Sequence, residues 1–297
     1  MSSAREAGYR LLGARLDYLL HLRPAEWPIM AAHTLLGYLL AIGIAGAAHG
    51  VQLPAAALGL LLWVVCLNGG TLALNSAFDR DEGDVAYLKR PPPPPRHLAM
   101  FSLCLIGAGQ LMALALPARF AAVYAVCFVL SILYSVPPFR LKAVAGADWV
   151  INMWGFGTLT PYAGWATTGL PLDLPRAVVL LGFCPLFAAL YPLTQLYQLE
   201  EDSRRGDRTF ALVLGTRRSL DIAIGGVLLA FGLFLTAAEK TRWDLVLLGG
   251  ALATWLAVLL PWRRSWRGMA PKRHQRGMYL ALGAWAVTDL AVLLIWG

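Results

Sequence analysis

The sequence has few charged residues for its length. Only 14% of its 297 residues are Asp, Glu, Lys or Arg, whereas an ordinary soluble domain contains about a quarter. Hydrophobic residues make up 58% of the chain. This composition excludes a soluble globular protein, and it excludes intrinsic disorder, which requires low hydrophobicity and high charge. The sequence therefore predicts an all-α, polytopic membrane protein.

Cysteine is also scarce, and its spacing shows no pairs. All four cysteines lie inside apolar runs: Cys66, Cys104, Cys127 and Cys184. This arrangement gives no support to a disulfide framework or a metal knuckle. We interpret these residues as small buried hydrophobes.

The amino-terminal segment lacks the features of a signal peptide. Residues 1–26 are basic and amphipathic, without an apolar core or a small-residue cleavage site. We expect this segment to lie at the membrane interface as a helix. We expect residues 1–297 to form a single membrane-embedded domain.

Nine apolar segments are candidate membrane spans, since about 20 apolar residues cross a bilayer as a helix. The candidates are residues 27–46, 55–78, 97–116, 120–135, 147–168, 177–197, 220–238, 245–262 and 278–296. If the spans alternate in direction, the 25 Lys and Arg residues fall almost entirely on one side. The other side holds only Arg119, Arg176, Lys240 and Arg242. By the positive-inside rule, the basic side is cytoplasmic. The bias toward Ala, Leu, Gly and Arg favours a prokaryotic origin, and we therefore expect the cell membrane.

An acidic cluster follows the second span, in the segment NSAFDRDEGD of residues 75–84. Asn75 and Asp79 are four residues apart and so share one face of a helix. Gly83 can end that helix and turn Asp84 back toward the same face. Oxygen ligands of this kind suit Mg²⁺, which binds through one or two carboxylates together with substrate phosphate oxygens. A solvated acidic loop is the alternative interpretation.

A second acidic cluster follows the sixth span, in the segment YQLEEDSRRGDRT of residues 197–209. Gln198 and Asp202 are again four residues apart, and Glu201 is adjacent to their face. Two carboxylate groups that converge on one cavity can each hold a divalent ion and clamp a diphosphate between them. Because both clusters lie on the basic side, a metal-dependent site is favoured over two unrelated acidic loops.

A segment between the two clusters supplies cations on the same side. It reads LYSVPPFRLK, residues 133–142, and its prolines fix an extended turn that presents Tyr134, Arg140 and Lys142. Cations at this place would stabilise the charge of a departing diphosphate. The alternative is that they only orient the chain in the membrane.

Together these motifs resemble the UbiA superfamily of intramembrane prenyltransferases. The resemblance rests on NSAFDRDEGD, the Arg-Pro pair at residues 90–91, YSVPPFRLK, the acidic motif that ends in DRT, and LRPAEW at residues 22–27. It extends over most of the chain, with the motifs in the family's order. It implies a nine-transmembrane-helix bundle whose central cavity opens sideways to lipid.

The resemblance also implies an activity. This is the Mg²⁺-dependent transfer of an isoprenyl group from an allylic prenyl diphosphate to an acceptor, with release of diphosphate. The expected partners are the prenyl diphosphate donor, a lipophilic or aromatic acceptor and membrane lipid, and no nucleic acid. An apolar cavity would protect the allylic cation from water, and aromatic faces would stabilise it. The aromatic candidates are Trp154, Phe156, Tyr162, Trp165 and Tyr191.

The site residues that the resemblance implies fall into three groups. One Mg²⁺ would be held by Asn75, Asp79 and Asp84, and the other by Asp202 with Gln198 or Glu201. The diphosphate would face Arg80, Arg140, Lys142 and Arg208. Further substrate contacts are expected from Tyr134, Asn152 and Tyr197, and catalytic roles from Asp79, Asp202, Lys142 and Arg140.

Two departures from the family's motifs affect the metal ligands. Gly83 stands where the first motif usually has its second Asp, so Asp84 comes one residue late. Gln198 stands where the second motif usually opens with Asp, and it adds no charge. Glu200 or Glu201 would compensate for the missing carboxylate.

Three polar residues inside spans have more than one interpretation. Asp148 and Asn152 share a face at the start of the fifth span, where they either close the site or form hydrogen bonds between helices. Asp289 lies deep in the last span, where an acid is a candidate functional residue. We expect it instead to form a hydrogen bond with a Ser, Thr or Trp of another helix.

Three other functions compete with the prenyltransferase. A secondary transporter would also have polar residues within the membrane, although these usually lie near the midplane. A membrane alcohol phosphotransferase also binds metal with acidic helices, but its characteristic run of aspartates is absent from the sequence. A non-catalytic lipid-binding protein on a related helical scaffold is a further alternative.

Overall fold

The computed structural model describes residues 3–79, 88 and 90–297. In this part of the chain the regular structure is helical, and an isolated parallel bridge pairs Val144 with Arg208. The interfacial segment forms two short helices, α1 (Ser3–Leu12) and α2 (Leu16–His21), where one was predicted. Gly13 between them has a φ of +54°, a left-handed conformation that favours glycine and interrupts the helix.

The remaining helices follow the predicted spans. In chain order they are α3 (Pro24–Ala48), α4 (Leu53–Asp79), α5 (Leu98–Ala113), α6 (Ala118–Ser135), α7 (residues 147–166), α8 (Leu174–Gln195), α9 (Leu199–Arg205), α10 (Phe210–Ala237), α11 (Arg242–Ser265) and α12 (Pro271–Trp296). Each of the nine predicted spans overlaps one of these helices. Within the described residues, seven helices are long and apolar enough to cross a membrane, and α5 and α7 are the two spans outside that set.

Two of the spans contain π-helical turns. In α4 the π-segment is Leu61–Gly69. In α7 it is Met153–Leu159, between α-helical turns at Ala147–Asn152 and Thr160–Ala166. A π-turn holds an extra residue, which widens the helix locally, and such turns are frequent beside functional sites. Both segments border the cavity described below.

Helix α10 begins ten residues before the predicted start of its span. The prediction placed the start after Arg217 and Arg218, because charges are unfavourable inside a bilayer. The helix instead starts at Phe210, before these arginines, and it changes direction at Gly215, where φ is +75°. The first turns of α10 thus lie outside the apolar part of the span.

Helix α8 lies at the centre of the bundle. Its buried residues Phe183 and Leu186 belong to the largest apolar cluster, which also includes residues of α10, α11 and α12. Helices α3 and α7 pack in close backbone contact, because a methyl group at Gly37 would overlap the carbonyl oxygen of Pro161. Small residues permit such close approaches between membrane helices.

The intramembrane acid Asp289 pairs with a histidine of another helix. Both of its carboxylate oxygens lie 3.2 Å from His33 Nδ1, and His33 Nε2 lies 3.2 Å from the carbonyl oxygen of Gly157. The expectation of an interhelical partner is therefore confirmed, but the expected residue type was wrong. The pair connects α12 to α3, and through Gly157 to the π-segment of α7.

We expect Asp289→Leu to lower the free energy of unfolding by about 1–3 kcal/mol, because it leaves the buried His33 without its carboxylate partner. Asp289→Asn keeps an oxygen acceptor and should cost less. Thermal unfolding of the detergent-solubilised protein measures both variants. Equal melting temperatures for Asp289→Leu and the wild type would contradict this role.

Candidate functional site

A cavity of about 390 Å³ lies where the two acidic clusters meet. Most of its wall is apolar, with Met30 from α3, Leu130 from α6, Leu190 from α8 and Leu282 from α12. Its polar end is formed by the end of α4, by the segment between α6 and α7, and by the segment that contains α9. The cavity is thus polar at one end and apolar along the rest of its wall.

Lys142 and Arg140 connect the two acidic clusters at the polar end. Lys142 Nζ donates a hydrogen bond to Asn75 Oδ1 at 2.8 Å and forms a close ion pair with Asp79. Arg140 Nη2 lies 3.4 Å from Asp79 Oδ1, and its Nη1 lies 3.2 Å from Asp207 Oδ1. Lys142 is only 8% exposed, so these pairings offset the cost of burying its charge.

The second cluster folds back on itself at Gly206. Helix α9 ends there with φ at +75°, and the Asp207 N–H donates to the Asp202 carbonyl oxygen at 3.1 Å. This left-handed ending is favoured by glycine, and it places Asp207 beside Asp202 in the cavity wall. Thr209 then donates its hydroxyl to Asp202 Oδ2 at 3.2 Å.

A backbone connection joins the segments on the two sides of the cavity. The Arg208 N–H donates to the Ala143 carbonyl oxygen at 3.2 Å, and Arg208 is bridged to Val144. The loop that carries Lys142 and the loop that carries Asp207 are therefore held together by main-chain contacts.

Asp148 is a buried junction behind the cavity. Its carboxylate accepts hydrogen bonds from Gln195 Nε2 at 2.9 Å, from the Phe210 N–H at 2.9 Å and from the Gly146 N–H at 2.9 Å. The Tyr191 hydroxyl donates to it at 3.5 Å. Asp148 thus links α7, α8 and the start of α10, and it is completely buried. This favours the interhelical interpretation of Asp148.

Most of the predicted site residues converge on this cavity. Those that line it are Asn75, Asp79, Tyr134, Lys142, Asn152, Tyr197, Gln198 and Asp202. Arg140 does not line it but reaches Asp79 and Asp207 from its rim. Arg80 and Asp84 lie outside the described residues.

Two of the predicted site residues lie elsewhere. Glu201 lines a second pocket of about 400 Å³, together with Glu200, Arg204 and His274. The suggestion that Glu200 or Glu201 supplies the missing carboxylate is therefore not supported, and Asp207 occupies the cavity wall instead. Arg208 has an exposed side chain and does not line the cavity. Helix α9 ends at Gly206 in a left-handed turn. Asp207, after this turn, lines the cavity, whereas Glu201, within the helix, lines the second pocket.

The aromatic wall differs from the predicted one. Of the five aromatic candidates, Phe156 and Tyr191 line the cavity, whereas Trp154 is exposed and Trp165 is buried in the core. Tyr162 also packs against the core clusters. Trp63, Asn68 and Phe187 are among the cavity residues that were not predicted from the sequence. Asn68 could have been predicted as a cavity residue from the sequence. It precedes Asn75 by seven residues and so lies on the same face of α4.

The oxygen atoms at the polar end fit Mg²⁺ in chemical type. On one side are Asn75 and Asp79, and on the other are Gln198, Asp202 and Asp207. In the part of the chain that the structure describes, no three His, Cys, Asp or Glu side chains are grouped closely enough to hold a metal by themselves. Mg²⁺ does not require such a cage, since it keeps several waters and completes its coordination with substrate phosphates.

The fold is thus a helical membrane bundle in which an apolar cavity ends in paired carboxylates and cations. Comparison with known sequences identifies the family. Residues 35–283 match the UbiA prenyltransferase family, and the chain belongs to it. The family resemblance predicted from the motifs is confirmed.

Individual relatives agree with this assignment. The chain is 30% identical over 189 residues to a digeranylgeranylglyceryl phosphate synthase of Natronomonas pharaonis, a match that covers 62% of this chain and 66%, slightly under two thirds, of that protein. Its fold is similar to that of a UbiA homologue from Archaeoglobus fulgidus bound to DMAPP and Mg²⁺, with a TM-score of 0.72 and 20% identity over 94% of this chain and 99% of the other. The same homologue bound to GPP and Mg²⁺ gives a TM-score of 0.65 and 20% identity, covering 94% of this chain and 100% of the other.

We expect Asp148→Ala to lower the free energy of unfolding by about 2–4 kcal/mol, because it leaves several buried donors without an acceptor. Asp148→Asn, which retains one carbonyl oxygen, should cost about half as much. Chemical or thermal unfolding in detergent measures the difference. If the two variants were as stable as the wild type, Asp148 would not be the junction described here.

Proposed function

We propose that this protein is an integral-membrane prenyltransferase. It transfers an isoprenyl group from an allylic prenyl diphosphate to a lipophilic or aromatic acceptor and releases diphosphate. The observation that carries the proposal is the arrangement of Lys142 and Arg140 between two carboxylate clusters at the end of an apolar cavity. The binding of DMAPP, GPP and Mg²⁺ by a homologue of the same fold supports it.

The metal ligands come from both sides of the polar end. Asn75 and Asp79 would hold one Mg²⁺, with Asp84 as a further candidate from outside the described residues. Asp202 would hold the other, with Gln198 and Asp207. Bound Mg²⁺ would neutralise the diphosphate and so stabilise it as a leaving group.

The residues of the chain itself act on the diphosphate end of the donor. Lys142 and Arg140 bind its oxygens and stabilise the charge that develops when the bond between C1 and oxygen breaks. The electron pair of this bond leaves with the diphosphate, and C1 becomes an allylic cation. The acceptor then bonds to C1 and loses its proton.

The rest of the cavity protects the cation from water. Its apolar wall excludes water, which would otherwise attack the cation and yield the prenyl alcohol. Aromatic rings of the lining, besides those of Tyr134 and Tyr197, can stabilise positive charge by cation–π contact. They are Trp63, Phe156, Phe187 and Tyr191. Tyr134, Asn152 and Tyr197 also line the cavity, which supports their proposed contacts with substrate.

The orientation of the protein in the membrane is part of the proposal. The seven long apolar helices make this a multi-pass membrane protein. We infer nine crossings, with α5 and α7 as the additional two. The uneven distribution of Lys and Arg supports a cytoplasmic position of the polar end.

Diphosphate release tests the function directly. With Mg²⁺, an allylic prenyl diphosphate and a membrane lipid extract as the source of acceptors, the purified protein should release diphosphate and form a prenylated lipid. We expect Asp79→Asn and Asp202→Asn to reduce turnover by about a hundredfold or more, because each removes a charged ligand at the reacting end of the donor. A transporter or a lipid-binding protein would release no diphosphate.

Two variants serve as matched controls. Asp173→Asn changes an exposed acid at the start of α8 to a residue that caps a helix equally well, and it should leave turnover unchanged. Glu201→Gln changes the residue next to Asp202, which lies in the second pocket, and turnover should stay within about twofold of the wild type. Wild-type turnover by Asp202→Asn, or a dead Glu201→Gln, would refute this assignment of the second cluster.

A further inference from the structure

The ends of three helices carry positive charge that the candidate site does not use. They are the part of α10 that follows its change of direction, the end of α11 and the start of α12, and we call this region the basic end. Its residues, 217–221 and 263–276, include eight Lys and Arg residues and one acid, Asp221. The basic end therefore has a net charge of +7, in a chain whose net charge is +8.

Contacts between the three helices bring these charges together. The guanidinium group of Arg263 donates two hydrogen bonds to the carboxylate of Asp221, which joins α11 to α10. Trp262 Nε1 donates to His274 Nδ1 at 3.0 Å, which joins α11 to α12. A methyl group at Gly277 would lie 2.6 Å from the Trp262 ring, so these two helices are also in close contact. The basic end is therefore one surface.

Most cations of the basic end have no acidic partner. Asp221 is paired with Arg263, and none of the other seven cations forms an ion pair with a described residue. Two of the seven lie at residues 217–218 and five within residues 264–276, and all seven side chains are exposed. In the candidate site, by contrast, Arg140 and Lys142 are both paired with acids. Mutual repulsion among the unpaired cations favours the binding of an anion.

Three of these cations share helix faces with side chains that contact lipid. On α11, Arg264 comes four residues after Leu260 and so lies on the same face. On α12, Lys272, Arg276 and Leu280 follow one another at intervals of four residues and share a face in the same way. Leu260 is 38% exposed and Leu280 is 51% exposed, as expected for apolar side chains that face the bilayer. The cations therefore lie where the lipid-facing surface reaches the headgroups.

The orientation of the chain in the membrane does not explain this placement. The positive-inside rule depends on how many cations a loop contains, and not on the side of the bundle that they face or on their pairing with acids. An aromatic residue also marks the headgroup level, since the Arg267 guanidinium lies 5.8 Å from the centre of the Trp266 ring and Trp is enriched at membrane interfaces. The position of the cations thus favours an anion that the bilayer itself supplies.

We propose that the basic end binds the headgroup of an anionic phospholipid. Its phosphate oxygens accept charge-assisted hydrogen bonds from the guanidinium and ammonium groups, and its acyl chains lie along the apolar surface at Leu260 and Leu280. A zwitterionic phospholipid has the same phosphate, but its own ammonium group cancels the charge, so it binds more weakly. The inference goes beyond the proposed prenyl transfer and does not depend on it.

Competition between two phospholipids tests the surface without any mutation. The purified protein in detergent is mixed with equal amounts of phosphatidylglycerol and phosphatidylcholine that have the same acyl chains, and native mass spectrometry counts the lipids that remain bound. We expect a preference of about tenfold for phosphatidylglycerol, because several cations each add to the attraction. The preference should shrink as the ionic strength of the mixture is raised. Equal retention of the two lipids would overturn the proposal.

Two double variants with the same change of charge then locate the preference. Arg264→Gln with Arg276→Gln removes two cations from the basic end and should reduce the preference to about twofold. Lys240→Gln with Arg242→Gln removes two exposed cations from the opposite ends of α10 and α11, and it should keep the wild-type preference. No loss in the first double variant, or an equal loss in both, would contradict a site at the basic end.

A second pair of variants guards against a folding defect in the first. Arg267→Gln with Lys272→Gln changes two other exposed cations of the basic end and should cause a similar loss of preference. Thermal unfolding in detergent without added lipid should give the wild-type melting temperature for each folded variant. A wild-type lipid preference in this second pair would also count against the proposal.

An acidic protein partner is the other ligand that such a surface suits. Fluorescence anisotropy of a labelled polyglutamate peptide, with the protein in phosphatidylcholine nanodiscs, measures this alternative. Peptide binding that required the basic end, together with equal retention of the two lipids, would show that the surface binds protein and that the proposal is wrong. The lipid measurements need neither Mg²⁺ nor a prenyl donor, so their outcome is independent of whether the protein transfers a prenyl group.

Discussion

The ammonium group of Lys142 lies between Asn75 and Asp79 at the end of an otherwise apolar cavity, and the geometry of the site depends on this pairing. A charge that is removed from water must be paired, or the fold loses stability. The segment between α6 and α7 is therefore held over the end of α4. From this segment Arg140 reaches both Asp79 and Asp207, and so brings the second cluster to the first.

Asp148 supports this arrangement from behind. Its carboxylate binds the backbone at Phe210, directly after the segment that carries Asp207, and the side chain of Gln195 at the end of α8. Gln195 Oε1 in turn accepts from the Ala211 N–H at 3.0 Å. The second cluster is thus fixed on one side by Arg140 and on the other by a buried acid that does not itself line the cavity.

The sequence predicted the spans and the polar end of the cavity, since apolar length and the position of acids and cations are local properties. It could not predict which neighbouring side chains face the cavity. Glu201 and Asp207 look equivalent in the sequence, but the left-handed turn at Gly206 brings Asp207 into the wall. The histidine that pairs with Asp289 was equally hidden, because the contact joins residues 256 positions apart. Whether a turn becomes π-helical depends on the packing around it, so the π-segments had no local signal either.

The main-chain contact between Arg208 and Ala143 has a consequence for how such a site can change. Because backbone atoms make the bond, the side chains at both positions can be exchanged without loosening it. The two loops are thus joined through their backbones, and a ligand that displaces one of them strains the contact with the other. Substitutions can alter the charge around the mouth of the cavity without removing this contact.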